Sequence, residues 1–154
     1  IKRKNPILLA ECLNQMGQVG VFIGQQMAIE IEYGKMFENL VERSPNLTWI
    51  PNFDYNDPLL SSAFSAAKVL CLPSEAETQP LVALEAMAAG TSVLLGNYPY
   101  AYQTPFESTI KVDPANKEQI KAAILKAVSE NPSVVEKLSS EYDWKKIAGK
   151  LVDS

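Results

Sequence analysis

The stretch KVLCLPSEAETQPLVALEAMAAGTSVLL, residues 68–95, decides how this chain is read. Val69–Leu72 is a short apolar run, and Pro73 breaks it into a polar loop that carries Glu75 and Glu77. A helix is expected from about Pro80 to Gly90, followed by a second apolar strand. Glu77 lies in the loop and Glu85 in the helix, separated by seven residues. Both carboxylates can therefore face one cleft.

Working outward, short apolar strands alternate with helical patterns along the chain. Asn5-Pro6 predicts a helix start, with Asn as cap and Pro in the first turn. Leu8, Leu9, Cys12, Leu13 and Met16 form its apolar face, and Gly17 ends it. Residues 19–23 predict a buried strand closed by Gly24. A helix over 28–43 would turn Ile29, Met36, Phe37, Leu40 and Val41 inward, and Leu47–Ile50 is the next strand. Asp57-Pro58 opens a helix. Residues 109–112 form a brief strand, and Asn116 with Gln119 makes a capping-box pattern for a helix buried along Ile120, Ala123, Ile124 and Ala127. Residues 132–152 suggest two more helices, docking through Trp144, Ile147, Ala148 and Leu151.

Strands alternating with helices imply a parallel sheet covered on both faces, a doubly wound α/β fold of Rossmann-like type. Ligands of such folds bind at the carboxyl ends of the strands. The loops beginning at Gly24, Pro51, Pro73 and Gly96 are thus the ones to watch. The chain opens with a helix where such a fold has a strand, and the strand left out would be a central one. A piece of a longer protein is expected.

Bulk properties narrow the classes. The 154 residues suit one domain, able to bury roughly 70% of its unfolded surface. An apolar fraction of 47% and a charged fraction of 21% are those of a folded globular chain. Net charge is −4, and the basic residues are scattered apart from Lys2-Arg3-Lys4, which argues against nucleic acid as a partner. No apolar run approaches the length of a membrane span. The two cysteines, Cys12 and Cys71, sit in apolar patterns, and thiols in a reducing cytoplasm are expected. Histidine is absent, so any acid–base chemistry falls to carboxylates or lysines.

The chemistry of the central loop can be read from its residue types. The first turn of the helix near Pro80 leaves the amides of Leu81 and Val82 without internal partners, which with the helix dipole favours an anion such as phosphate. A carboxylate at Glu77 or Glu85 suits paired hydroxyl groups. Two polyols flanking a phosphate describe a nucleotide sugar. The plainer alternative makes both glutamates ordinary helix-terminus or solvated-face residues. Against it, Glu85 lies among Leu81, Leu84, Ala86, Met87, Ala88 and Ala89, where a carboxylate is costly unless paired or lining a cleft. The small residues of that run also suggest close packing on the sheet. Trp49, Phe53 and Trp144 are expected to pack rather than to stack on sugar, with Tyr98 and Tyr100 the exceptions worth testing.

PSEAETQPLVALEAMAAGTSVLL resembles the pattern of the family 4 "group 1" retaining glycosyltransferases: a Pro-Ser loop, Glu, seven residues, Glu-Ala-Met-Ala-x-Gly, a small residue and an apolar strand. Weaker echoes are Lys4-Asn5, residues 21–24, residues 46–53 and Tyr142-Asp143-Trp144. The resemblance implies the C-terminal, donor-binding domain of a GT-B fold. It implies that Glu77 meets the donor hexose, that Glu85 meets the ribose, and that the Leu81 and Val82 amides meet the diphosphate. Lys4, with Arg3 as a helper, would stabilise the departing diphosphate, Pro51 and Asn52 would hold the base, and Gly24 would line the cleft. It implies no metal and no separate cofactor, and an acceptor glycan or lipid held by a partner domain. The enzyme would be cytoplasmic or peripheral at the membrane, and the fragment alone would be inactive. Thr78, Gln79 and Pro80 depart from the family's Gly-Phe-Gly, which bears on sugar choice. They also leave open a Rossmann-like interaction or regulatory module without catalysis.

Overall fold

A computed structural model describes residues 2–25, 28–51 and 58–130. A 3-10 turn at Lys2–Lys4 leads into α1 (Pro6–Met16), β1 (Gly20–Ile23), α2 (Ile31–Glu42) and β2 (Leu47–Ile50). Then come α3 (Pro58–Ala66), β3 (Val69–Leu72), α4 (Leu81–Ala88), β4 (Ser92–Gly96), β5 (Ile110–Val112) and α5 (Lys117–Ser129). The expected helices of residues 132–152, with Trp144, and the positions of Asn52 and Phe53 lie outside the described residues.

Helix ends follow local chemistry, with one correction. Gly17 takes the left-handed conformation at φ 65°, which lets the Gln18 amide reach the Leu13 carbonyl at 3.0 Å. Asn116 caps α5 as expected, its side chain accepting from the Gln119 amide at 3.0 Å. Gln119 reaches past its own cap, and its side-chain oxygen accepts from the Asp113 amide at 2.7 Å. Asn5 does not cap α1 with its side chain. It is itself left-handed at φ 58°, and its Nδ2 donates to the Pro114 carbonyl at 2.6 Å. The residue is used to tie α1 to the turn ahead of α5.

Among the described residues all strand pairings are parallel. β1 pairs with β2, Gly20 lying opposite Leu47 and Ile23 opposite Ile50. β3, β4 and β5 form a second sheet in that order. Among the described residues β1 and β3 share no ladder. The Lys2–Lys4 turn reaches the segments after both.

The double winding is visible in β4. Leu94 joins the core beneath α1, α2 and α5, with Leu9, Leu13, Phe37, Leu47, Ile120 and Ile124. Its neighbours Val93 and Leu95 point to the opposite core, with Ala83, Ala86 and Met87 of α4 and Phe106. Period-two alternation in a strand buried on both faces requires this split. Phe22, Phe37 and Trp49 meet edge to face, with ring centres 5.0 and 5.6 Å apart.

Two expectations about faces are corrected. Ile29 is 88% exposed and Met36 61%, because the chain makes a separate 3-10 turn at Ala28–Glu30 and α2 then turns Phe37 and Val41 inward. On α4 the buried stripe is Ala83, Ala86 and Met87, so Ala88 and Ala89 face outward. Between β4 and β5 the chain is compact. It forms 3-10 turns at Pro99–Tyr102 and Thr104–Phe106 that bury Tyr100, Ala101 and Phe106.

Candidate functional site

The loop between β3 and α4 starts in buried surroundings: Pro73 and Ser74 are fully enclosed. Ser74 packs so tightly against Gly96 that a Cβ at Gly96 would collide with the Ser74 carbonyl. Only glycine permits the ends of β3 and β4 to approach this closely. From this base the loop emerges, and the Ser74 hydroxyl donates to Glu77 Oε1 at 2.9 Å.

Glu77 meets two cations from the far end of the chain. The Arg3 Nη1 lies 3.0 Å from Glu77 Oε1 and the Lys4 Nζ 3.9 Å from the same oxygen. The carboxylate is only 10% exposed, whereas Arg3 and Lys4 are near 40%. Backbone contacts lock the arrangement: the Glu75 amide donates to the Arg3 carbonyl at 2.9 Å, and Arg3 donates to the Ala76 carbonyl. On its other side the turn is tied to the segment after β1, the Lys2 amide donating to Glu30 Oε2 at 2.7 Å. Arg3, Ala76, Glu77, Thr78 and Gln79 line a shallow cleft of about 430 Å³.

Helix α4 begins beside this cleft. Pro80 occupies its cap position and no side chain caps it, so the first-turn amides of Leu81 and Val82 carry the positive end of the helix dipole. Glu85 stands one turn further, partly buried. A carboxylate acceptor, two ammonium or guanidinium groups and a helix N-terminus are thus gathered at the carboxyl ends of parallel strands. Such a set suits a ligand that combines hydroxyl groups with an anionic group.

Arg3, Lys4, Glu77, Thr78 and Gln79 are brought together. Gly24 and Pro51 sit at the ends of the neighbouring strands β1 and β2. Gly24 has φ 138°, its amide donates to the Ile50 carbonyl at 3.1 Å, and its own carbonyl accepts from the Trp49 indole at 2.9 Å. Trp49 is therefore a packing and tethering residue. Asn52 lies outside the described residues. Tyr98 is exposed, but Tyr100 is buried and has no face open for stacking. Sequence reading missed the parts of Ser74, Gly96 and Tyr100, whose contacts cross between strands and leave no local pattern.

The family model described as "Glycosyl transferases group 1" matches residues 9–145. No curated protein matches the chain. Among solved structures, sucrose-phosphate synthase from Thermosynechococcus elongatus is similar at TM-score 0.77 and 24% identity, covering 99% of this chain and 42% of that one. HepE of Anabaena in complex with UDP and glucose is similar at TM-score 0.84 and 15% identity, covering 99% of this chain and 45% of that one. The C-terminal domain of LpcC, a glycosyl transferase group 1 family protein from Francisella tularensis, gives 0.74 and 20%, covering 94% of this chain and 82% of that one. The chain spans under half the length of the first two.

Proposed function

Because the chain belongs to the group 1 glycosyl transferases, we propose that it is the donor-binding part of an enzyme that moves a hexose from a nucleoside-diphosphate sugar to an acceptor hydroxyl, with retention at the anomeric carbon. The observation that carries this reading is the meeting of Arg3 and Lys4 with Glu77 beside the uncapped start of α4. Glu77 accepts hydrogen bonds from the hexose hydroxyls, and Glu85 from the ribose. The amides of Leu81 and Val82 receive the diphosphate.

When the bond from the anomeric carbon to the diphosphate oxygen breaks, negative charge grows on the leaving group. Lys4 and Arg3 stand where that charge develops, and preorganised cations and amides of this kind lower the barrier without reorganisation. In this reading they do the work a metal ion does elsewhere, and no metal is needed. Pro51 and Asn52 hold the base, Gly24 lines the same cleft, and Thr78 and Gln79, exposed on the cleft, bear on the choice of sugar. The similar fold of HepE, solved with UDP and glucose, supports a nucleotide sugar as the ligand class. An acceptor glycan or lipid is held by a further domain, and this chain alone binds donor weakly without turning it over.

Calorimetric titration of the chain with UDP-glucose and GDP-mannose, with Glu85→Ala as control, tests the reading. Binding of one of them that weakens at least about tenfold in the variant is expected, the size of a lost charged hydrogen bond. Absence of binding, or binding indifferent to the substitution, would overturn the site and favour a Rossmann-like module without catalysis.

A further inference from the structure

Tyr100 is buried in the 3-10 turn after β4, and its hydroxyl stands at a junction. It accepts from the Gly96 amide at 3.0 Å and donates to the Ser74 carbonyl at 3.0 Å, with the Leu72 carbonyl more distant at 3.5 Å. One phenol group thereby joins the carboxyl ends of β3 and β4. Ser74, held in this way and fully buried, donates through its own hydroxyl to Glu77 Oε1. That is the same oxygen that faces Arg3 and Lys4. Two hydrogen bonds, joined through Ser74 itself, thus link the interior to the carboxylate at the cleft.

We propose that Tyr100 is a positioning residue for Glu77, acting through Ser74, and that it sets the orientation in which the carboxylate meets the sugar. The proposal rests on the donor-site reading above. Packing does not require the hydroxyl, because a phenylalanine fills the same volume. Its removal leaves the Gly96 amide and the Ser74 carbonyl short of a partner and frees the loop that carries Glu77. The nucleotide end of the ligand meets other groups, so the loss falls on recognition of the sugar and not of the nucleoside diphosphate.

The test compares affinities of the chain for UDP and UDP-glucose, and for GDP and GDP-mannose, in the wild type, Tyr100→Phe, Ser74→Ala and Glu77→Gln. The expected result is a preference for the sugar form that falls about tenfold in all three variants, with affinity for the bare diphosphate unchanged in Tyr100→Phe and Ser74→Ala. Combining Tyr100→Phe with Glu77→Gln is expected to add no further loss, since both act on one contact. If Glu77→Gln reduces the preference and Tyr100→Phe does not, the positioning role is overturned while the donor site stands. Equal weakening of both ligands by Tyr100→Phe marks a merely structural role and also overturns it. If Tyr100→Phe fails to fold, Ser74→Ala decides alone, because it removes only the link to Glu77. A wild-type chain that binds none of the four, or a Glu77→Gln variant that keeps its preference, overturns the donor-site reading and this role with it.

Discussion

The guanidinium of Arg3 lies 3.0 Å from the carboxylate of Glu77, joining the first turn of the chain to the loop after β3. The same Arg3 also donates to the Ala76 carbonyl, so one side chain holds both the charge and the backbone of that loop.

Replacing Arg3 with Ala leaves Glu77 with Ser74 and the more distant Lys4. Arg3 is 44% exposed, so solvent screens the pair and the loss of stability stays below about 1 kcal/mol. Urea unfolding of wild type and Arg3→Ala at low and high salt measures it. The difference is expected to shrink as ionic strength rises.

Two glycines separate two kinds of crowding. A Cβ at Gly20 would come 2.7 Å from Leu13 Cδ1 and 3.0 Å from Leu47 Cδ2, both ends of side chains that can shift. A Cβ at Gly96 would strike the Ser74 carbonyl, whose carbon lies 3.0 Å away and belongs to the backbone. Gly20→Ala is expected to cost about 1 kcal/mol and Gly96→Ala about 3 kcal/mol or more. Thermal denaturation of the two variants side by side checks the order.

Burial pushes the Tyr100 phenol up to about 12 from its ordinary value of 10.0, with the nearby Glu77 charge adding to the rise. The raised folded value means that the folded state holds its proton where the unfolded state has lost it. Stability from this group is complete below pH 10 and declines as pH rises towards 12, by about 2–3 kcal/mol. Cys71, raised to about 12 from 9.0 by burial, adds a decline that starts lower. Tyr100→Phe keeps the Cys71 decline and loses the tyrosine one. Stability curves from pH 8 to 12 should therefore be shallower for the variant between pH 10 and 12.

Asn5→Asp distinguishes a side-chain cap from a cross-link. A capping role would make the substitution neutral or favourable, since Asn and Asp cap equally well. The Asn5 amide instead donates to the Pro114 carbonyl, a bond that a carboxylate cannot make. A loss of about 1 kcal/mol is expected, read from urea unfolding.

Much of this was legible because it is local. Leu47–Ile50 and Val69–Leu72 are strands to the residue, since compact apolar runs bounded by turn formers allow little else. The Asn116 cap and the Gly17 stop follow from the same short-range chemistry. The outward turn of Ile29 and Met36 was not legible. An apolar residue near a helix start reads the same whether the helix begins at residue 28 or 31.

By itself the sequence determined an alternating α/β chain and a loop-and-helix stretch with Glu77 and Glu85 at the mouth of a parallel sheet. It also carried the family, in the pattern of residues 73–90. Only the tertiary structure decided which groups meet there. Arg3 reaches Ala76 across 73 residues of chain, and Tyr100 reaches Ser74 across 26. Those contacts depend on strand order and register, and on a glycine at 96 that lets two strand ends touch. Residue type and spacing encode the local hydrogen bonds of a helix or a turn. A partner brought from another strand is chosen by packing, after the elements have assembled.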